Sequence, residues 1–358
     1  MSMSQEQISN QQTVPVLQGV KDRSESYLST IHALHGFILA VKRTSTFPID
    51  NVHSSIGRRM HYANGKSKRD FCTPDLVIQL DSTEGIIGEA KLLVCQNTED
   101  NWTKYVKQAK KYDNDLKGWW TTDELIKRTN LVWITELTFS SKIGDYFKEN
   151  IDTGEIQFTR PFAVIEYSQH QKSKEFLFLR TRIGDLPGCI SQAFKHGVEI
   201  PIETLIFENQ EKKFYDAKPS DIEYVMDILW QNIFTQEALT NQDGKSRYDD
   251  KEKVWRIPYQ LNALTKNIQK LYGAVGGENR EVEYPKKAWI KEAMDKFVSI
   301  DLAVNGLQGE EYIIQFKKFT RPMEKFVNLI HKKQKVTQSS GKQLPLFDLT
   351  REKSTSVE

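Results

Sequence analysis

TPDLVIQLDSTEGIIGEAKLLV, residues 73–94, decides how the chain is read. Leu76 to Leu80 and Ile86 to Val94 are rich in Val, Ile and Leu and short enough for strands. Between them, Asp81-Ser82-Thr83-Glu84-Gly85 has the composition of a turn. An antiparallel hairpin about that turn is expected to bring Asp75 opposite Lys91 and Val77 near Glu89. Side chains alternate between faces along a strand, so Asp75, Glu89 and Lys91 then share one face. Two carboxylates and an ammonium at the rim of an apolar sheet are costly unless a cation or substrate balances them. The alternative is an ordinary surface hairpin, with Glu89 and Lys91 in water and Asp75 capping a turn.

The next stretch, NWTKYVKQAKKYDNDL at 101–116, places Trp102, Tyr105, Val106, Ala109 and Tyr112 at helical spacings. Gln108 and Tyr112 are four apart and share a face, while Lys104, Lys107, Lys110 and Lys111 form a basic side suited to phosphate. An ordinary amphipathic helix with Tyr112 in the core would look the same. Taken in order, Pro74-Asp75, a spacer of thirteen residues, Glu89-Ala90-Lys91 and a Q-x-x-x-Y helix resemble the PD-(D/E)XK nuclease superfamily, in its RecB-type motif order. The resemblance spans about residues 20 to 180. It implies a restriction-endonuclease-like α/β fold, a mixed sheet flanked by helices. It also implies Mg²⁺, with Mn²⁺ able to substitute, bound by Asp75, Glu89 and the Ala90 carbonyl. Lys91 would position a water, and Gln108 and Tyr112 would shape the site. These are the ligand types the chemistry needs: Mg²⁺ takes hard oxygen ligands, and one or two carboxylates suffice.

The whole chain has 358 residues, 38% apolar and 27% charged, which suits two soluble globular domains with tails. With 50 basic and 48 acidic residues the net charge is +2, so any nucleic-acid binding must come from local patches. Cys72, Cys95 and Cys189 form no C-x-x-C pair, which points to a reduced, cytoplasmic protein without a zinc knuckle. No signal peptide and no apolar run of membrane-spanning length is visible, so no membrane partner is expected. Walker and Rossmann glycine patterns are absent, which leaves ATPase and dehydrogenase readings without support.

Residues 1–18 are polar and expected to be disordered. A helix from about Ser24 to Val41 carries Glu25, which the resemblance offers as a further metal ligand; a glutamate favoured by the helix dipole is the plainer reading. The stretch 56–70 crowds cations before the hairpin, and Arg58, Lys66, Lys68 and Arg69 are candidates for DNA-backbone contacts, with a solvated loop as the alternative. Strands are expected at Leu131–Thr135, Phe162–Tyr167 and Phe176–Arg180, and a helix near Ser141 to Glu149. Trp119-Trp120 reads as packing. The nuclease-like domain is thus placed at 19–185, and Pro187, Gly188 and Pro201 suggest an irregular linker over 186–218.

From 219 to 335 a mainly helical, winged-helix-like domain is expected. Ser220-Asp221-Ile222-Glu223 reads as a capping box, Pro258 as the start of a second helix to Tyr272, and Pro285 as that of a third. Asn305-Gly306 then marks a hairpin. Lys286, Lys287 and Lys291 would face DNA from the third helix, or would be merely solvated. The stretch 317–335 is basic, and 336–358 is a polar tail. Within the tail, Gln343-Leu344-Pro345-Leu346-Phe347 resembles the pentapeptide that docks on the bacterial sliding clamp, where Gln343 would bond the pocket rim and Leu346 and Phe347 would fill it. A tail folded back on its own domain is the other reading.

The function expected from these features is a Mg²⁺-dependent DNA nuclease of bacterial defence, restriction or repair. The alternative is a catalytically inactive nuclease fold that binds DNA or assembles a larger complex. A homodimer would suit double-strand cutting by a single-site enzyme. Replacing Leu346 and Phe347 together by Ala is expected to abolish capture of the full chain on immobilised sliding clamp; an intact tail that shows no binding removes that partner.

Overall fold

The computed structural model describes residues 27–67, 70–91, 99–120, 125–169, 176–204, 214, 221–234, 247–249, 251–272, 284–307 and 310–316. Glu25, Lys68, Arg69, Cys95, Gln343, Leu346 and Phe347 lie outside the described residues, as do 1–18 and 317–358. The described chain divides into two compact units, one from the residues of 24–220 and 262–287, the other from 221–261 and 288 onward.

The first unit is a mixed α/β sheet flanked by helices. Its elements are α1 (27–44), β1 (His53–Ile56), β2 (Met60–Tyr62), β3 (Phe71–Cys72), β4 (Leu76–Gln79), β5 (Glu84–Ala90), α2 (Glu99–Tyr112), β6 (Leu116–Lys117), β7 (Arg128–Glu136) and α3 (Leu137–Asp152). They are followed by β8 (Phe162–Gln169), β9 (Phe176–Gly184), α4 (Gly188–His196) and β10 (Val198–Pro201). Seven strands form the main sheet in the order β1-β4-β5-β7-β8-β9-β10. β5, β7 and β8 run parallel, and every other pair is antiparallel. Parallel neighbours need crossovers, which α2 and α3 supply. Both helices pack on the same sheet face, where Ala109, Tyr112, Ile143 and Phe147 join Val77, Ile87, Leu131, Trp133 and Val164 in one core. Helix α1 covers the other face: a Cβ on its Gly36 would meet Leu177 of β9, and its Phe37 packs on Phe194 of α4 with centroids 5.2 Å apart. A sheet covered on both sides has apolar runs in its strands, which is what β4, β7 and β8 show.

The hairpin turns where the sequence predicts. Asp81 Oδ1 accepts from the backbone N–H groups of Thr83 (2.6 Å) and Glu84 (2.7 Å), and Leu80 N–H closes the loop on the Glu84 carbonyl at 2.9 Å. The register differs. Leu76 faces Gly88 and Val77 faces Ile87, so the ladder continued by one residue sets Asp75 opposite Glu89 rather than Lys91. The slip is an even number of residues, and the three charged side chains therefore keep their common face.

Residues 186–201 are not a linker. Pro187 is the N-cap of α4 and Gly197, at φ 95°, is its C-cap. The residues that resemble linker punctuation are capping a helix, after which β10 extends the main sheet.

The second unit holds α5 (Ile222–Leu229), a π-helical turn (Trp230–Phe234), β11 (Arg247–Asp249), β12 (Val254–Gln260), α7 (Lys287–Ser299), β13 (Ala303–Asn305) and β14 (Glu311–Phe316). Helix α6 (Leu261–Tyr272) falls with the first unit for all but its first residue. The strands form an antiparallel sheet in the order β11-β12-β14-β13, and Trp230, Phe234, Tyr259 and Phe297 cluster in its core. Pro258 lies inside β12 instead of opening a helix. There it pairs with Ile313 of β14. Asp221, not Ser220, is the N-cap of α5. No described helix is long and apolar enough to cross a membrane.

Gly184 closes β9 at φ 74°, and a Cβ there would lie 1.9 Å from the Phe162 carbonyl oxygen. The atoms it would meet are all backbone of Phe162 and Ala163, which cannot give way as a flexible side chain could. Gly184→Ala is expected to lower unfolding free energy by about 2 kcal/mol or more in a urea titration.

Candidate active site

The C-terminal end of β5 carries the site. Glu89 is 2% exposed and Asp75 6%, both deep for carboxylates. Glu89 is held on both oxygens. Lys91 Nζ and Gln108 Nε2 donate to Oε1, the lysine at 2.6 Å, and Tyr112 OH donates to Oε2 at 2.7 Å. Gln108 and Tyr112 are successive turns of α2, so one helix face grips one carboxylate. The outward side of α2 carries Lys104, Lys107, Lys110 and Lys111, all exposed.

Asp75 is oriented by the backbone. The N–H of Ala90 donates to its Oδ2 at 3.0 Å. Lys91 N–H bonds the Ile134 carbonyl at 2.8 Å, so the ladder to β7 is made by the residues flanking Ala90. Ala90 therefore directs both its N–H and its carbonyl toward the β4 side, where Asp75 lies. Two carboxylates and a main-chain carbonyl thus meet at the end of β5, with the half-buried Lys91 ammonium beside them. Burial, then the negative charge of Glu89 and Asp75, pushes the Tyr112 phenol far above its ordinary value. Tyr112 is accordingly favoured as a protonated hydrogen-bond donor to Glu89. Burial likewise pushes the nearby Cys72 thiol up to about 12, which makes it inert packing.

Among the described residues no group of three His, Cys, Asp or Glu gathers into a metal cluster. The site is a carboxylate pair, and Glu25, named for a third position, falls outside the described residues.

Of the candidate DNA-contacting cations, Lys66, Lys107, Lys110, Lys286 and Lys291 are exposed, and Lys287 is half-buried. Lys291 shares its charge with Asp295 at 2.7 Å. Arg58 corrects the expectation from sequence. It is 2% exposed, its Nε donates to the Gly118 carbonyl at 2.7 Å, and its guanidinium lies 3.8 Å from the Trp120 ring centroid. The cation is turned inward as a structural tie, and its neighbour Arg59 is the exposed one.

The structure adds a second polar row that the sequence reading left out. Thr135, Glu166 and Arg180 are cross-strand neighbours on β7, β8 and β9. Glu166 is 1% exposed and accepts from Arg180 Nε (2.6 Å) and Ser140 Oγ (2.8 Å). Thr135 Oγ1 is buried without a hydrogen-bond partner. The signal was a glutamate inside the apolar run FAVIEY, which only a partner on another strand makes tolerable.

Comparison with protein-family models, with curated proteins and with solved structures gave no match.

Tyr112→Phe is expected to cost about 1–3 kcal/mol at neutral pH, by leaving Glu89 Oε2 without its donor. Because the folded tyrosine has the raised pKa, its contribution is complete below about pH 10 and falls as pH rises beyond that. The variant should therefore lose less stability between neutral and strongly alkaline pH than the parent, as read by urea midpoints along a pH series.

Proposed function

We propose that this chain is a metal-dependent nuclease on a restriction-endonuclease-like fold, hydrolysing phosphodiester bonds of DNA with Mg²⁺, or Mn²⁺ in its place. The observation that carries the proposal is the grip of Gln108, Tyr112 and Lys91 on the buried Glu89 carboxylate, with Asp75 across the ladder. Two carboxylates buried at facing ladder positions repel one another, and a divalent cation held between them would relieve that repulsion.

The residues fit that ion. Asp75, Glu89 and the Ala90 carbonyl are hard oxygen donors, and Mg²⁺ takes one or two carboxylates while completing its shell with water and phosphate. When bound, such an ion polarises a phosphate and makes water a stronger nucleophile near neutral pH. The chain's own groups do the rest. The Ala90 N–H fixes the Asp75 carboxylate in position, and Gln108 and Tyr112 fix Glu89, so neither ligand must reorganise. Lys91 places a positive charge beside the scissile phosphate and orients the attacking water. The exposed lysines of α2 lie on the adjacent helix and attract the phosphate backbone. α7 and the β13–β14 hairpin would act as a winged-helix-like element, with Lys286, Lys287 and Lys291 contacting DNA to deliver substrate.

The test is cleavage of linear, circular and single-stranded DNA with Mg²⁺ or Mn²⁺ by the parent protein and by Asp75→Asn, Glu89→Gln and Lys91→Ala. Each variant is expected to lose on the order of a hundredfold or more in rate. Identical products and rates from all four proteins would trace the activity to a contaminant and end the proposal.

A further inference from the structure

A small sheet stands beside the site. β2 lies between β3 and β6, with His61 paired to Phe71 on one side and to Lys117 on the other. Paired residues share a face, so Phe71, His61 and Lys117 form one row. The opposite face is core: Met60, Cys72 and Leu116 are 0%, 7% and 3% exposed. The row itself meets solvent. Phe71 is 37% exposed, unusual for a phenylalanine, and Lys117 is exposed. Arg59 lays its guanidinium 4.4 Å from the Phe71 ring centroid, and His61 meets the ring at 6.0 Å.

The acids nearest along the chain are engaged elsewhere. Asp70 Oδ2 accepts from the N–H groups of Lys66 (2.7 Å) and Ser67 (2.9 Å), and Asp115 pairs with Arg160 at 2.8 Å. Arg59, Lys66 and Lys117 have no carboxylate partner among the described residues, which leaves the face positive around an exposed aromatic ring. A sheet face that offers an aromatic ring, a guanidinium and an ammonium side by side matches one ligand chemistry: a base with a free π-face on an anionic backbone. Bases inside a duplex do not expose that face.

We infer that the β3-β2-β6 face is a stacking platform for single-stranded nucleic acid, with Phe71 and Arg59 receiving bases and Lys117 and Lys66 receiving phosphates. The inference rests on the nuclease reading and narrows it to substrates that are single-stranded or frayed beside the cut. Phe71 precedes Asp75 by four residues, at most about 13 Å of extended chain. At about 3.4 Å per nucleotide, the stacked base lies within roughly three or four nucleotides of the scissile phosphate.

The experiment measures binding and cleavage separately on the full chain. Binding is read by fluorescence anisotropy in Ca²⁺ for single-stranded DNA, single-stranded RNA and a duplex of the same sequence; cleavage is read in Mg²⁺. Phe71→Ala is expected to weaken single-strand affinity about tenfold to a hundredfold and leave duplex affinity within twofold. Phe71→Trp is expected to restore it, and Lys117→Gln to reduce the salt slope by about 0.7. Since Phe71 is exposed, an unchanged thermal midpoint separates this loss from misfolding. Single-strand affinity unaltered by Phe71→Ala, or an equal loss for duplex, overturns the platform even if Asp75-dependent cleavage stands. Phe71-dependent single-strand binding without any cleavage by the parent retains the platform and removes the nuclease.

Discussion

The buried carboxylate of Glu89 is the constraint around which the first unit is built. A carboxyl group at 2% exposure requires partners on every side. It receives them from three side chains on two segments: Lys91 just past the end of its own strand, and Gln108 and Tyr112 from successive turns of α2. Those bonds fix the angle at which α2 crosses the sheet. The apolar contacts of Ala109, Trp133 and Phe147 are non-directional, so they fill space without choosing that angle. Polar contacts select the geometry and apolar burial supplies the energy.

The same constraint links fold to chemistry. Asp75 is carried to Glu89 by the antiparallel ladder of β4 and β5, and is oriented by the N–H that β5 does not use toward β7. Continued past its last pair, the β4–β5 ladder would set Ala90 opposite Pro74, which has no N–H to donate to the Ala90 carbonyl. The small sheet β3-β2-β6 packs its apolar side onto this core, which leaves its other side to solvent.

Much of this was legible in the residues. The hairpin, α2, α3 and the strands β7, β8 and β9 follow from alternation and helical spacing, and the parity of the hairpin put the three charged groups on one face. The register itself was not legible. LVIQL and IIGEA are apolar on both faces, so pairings two residues apart satisfy the pattern equally, and Asp81 as an acceptor for Thr83 and Glu84 decides between them. Pro187, Gly197 and Pro258 misled for a related reason. Their local signal is the absence of a donor or a positive φ, which a cap, a strand and a linker can share. Arg58 could not be read because its partners, Gly118 and Trp120, come from some sixty residues further along. The row of Thr135, Glu166 and Arg180 likewise exists only once three strands are aligned.

Anomalous diffraction from crystals of the full chain soaked in Mn²⁺ addresses the central claim most directly. The account predicts a single strong peak at the C-terminal end of β5, about 2 Å from a carboxylate oxygen of Asp75 and one of Glu89, and absent from Glu89→Gln crystals. A peak elsewhere, or none at this end in a preparation that cuts DNA, would contradict it.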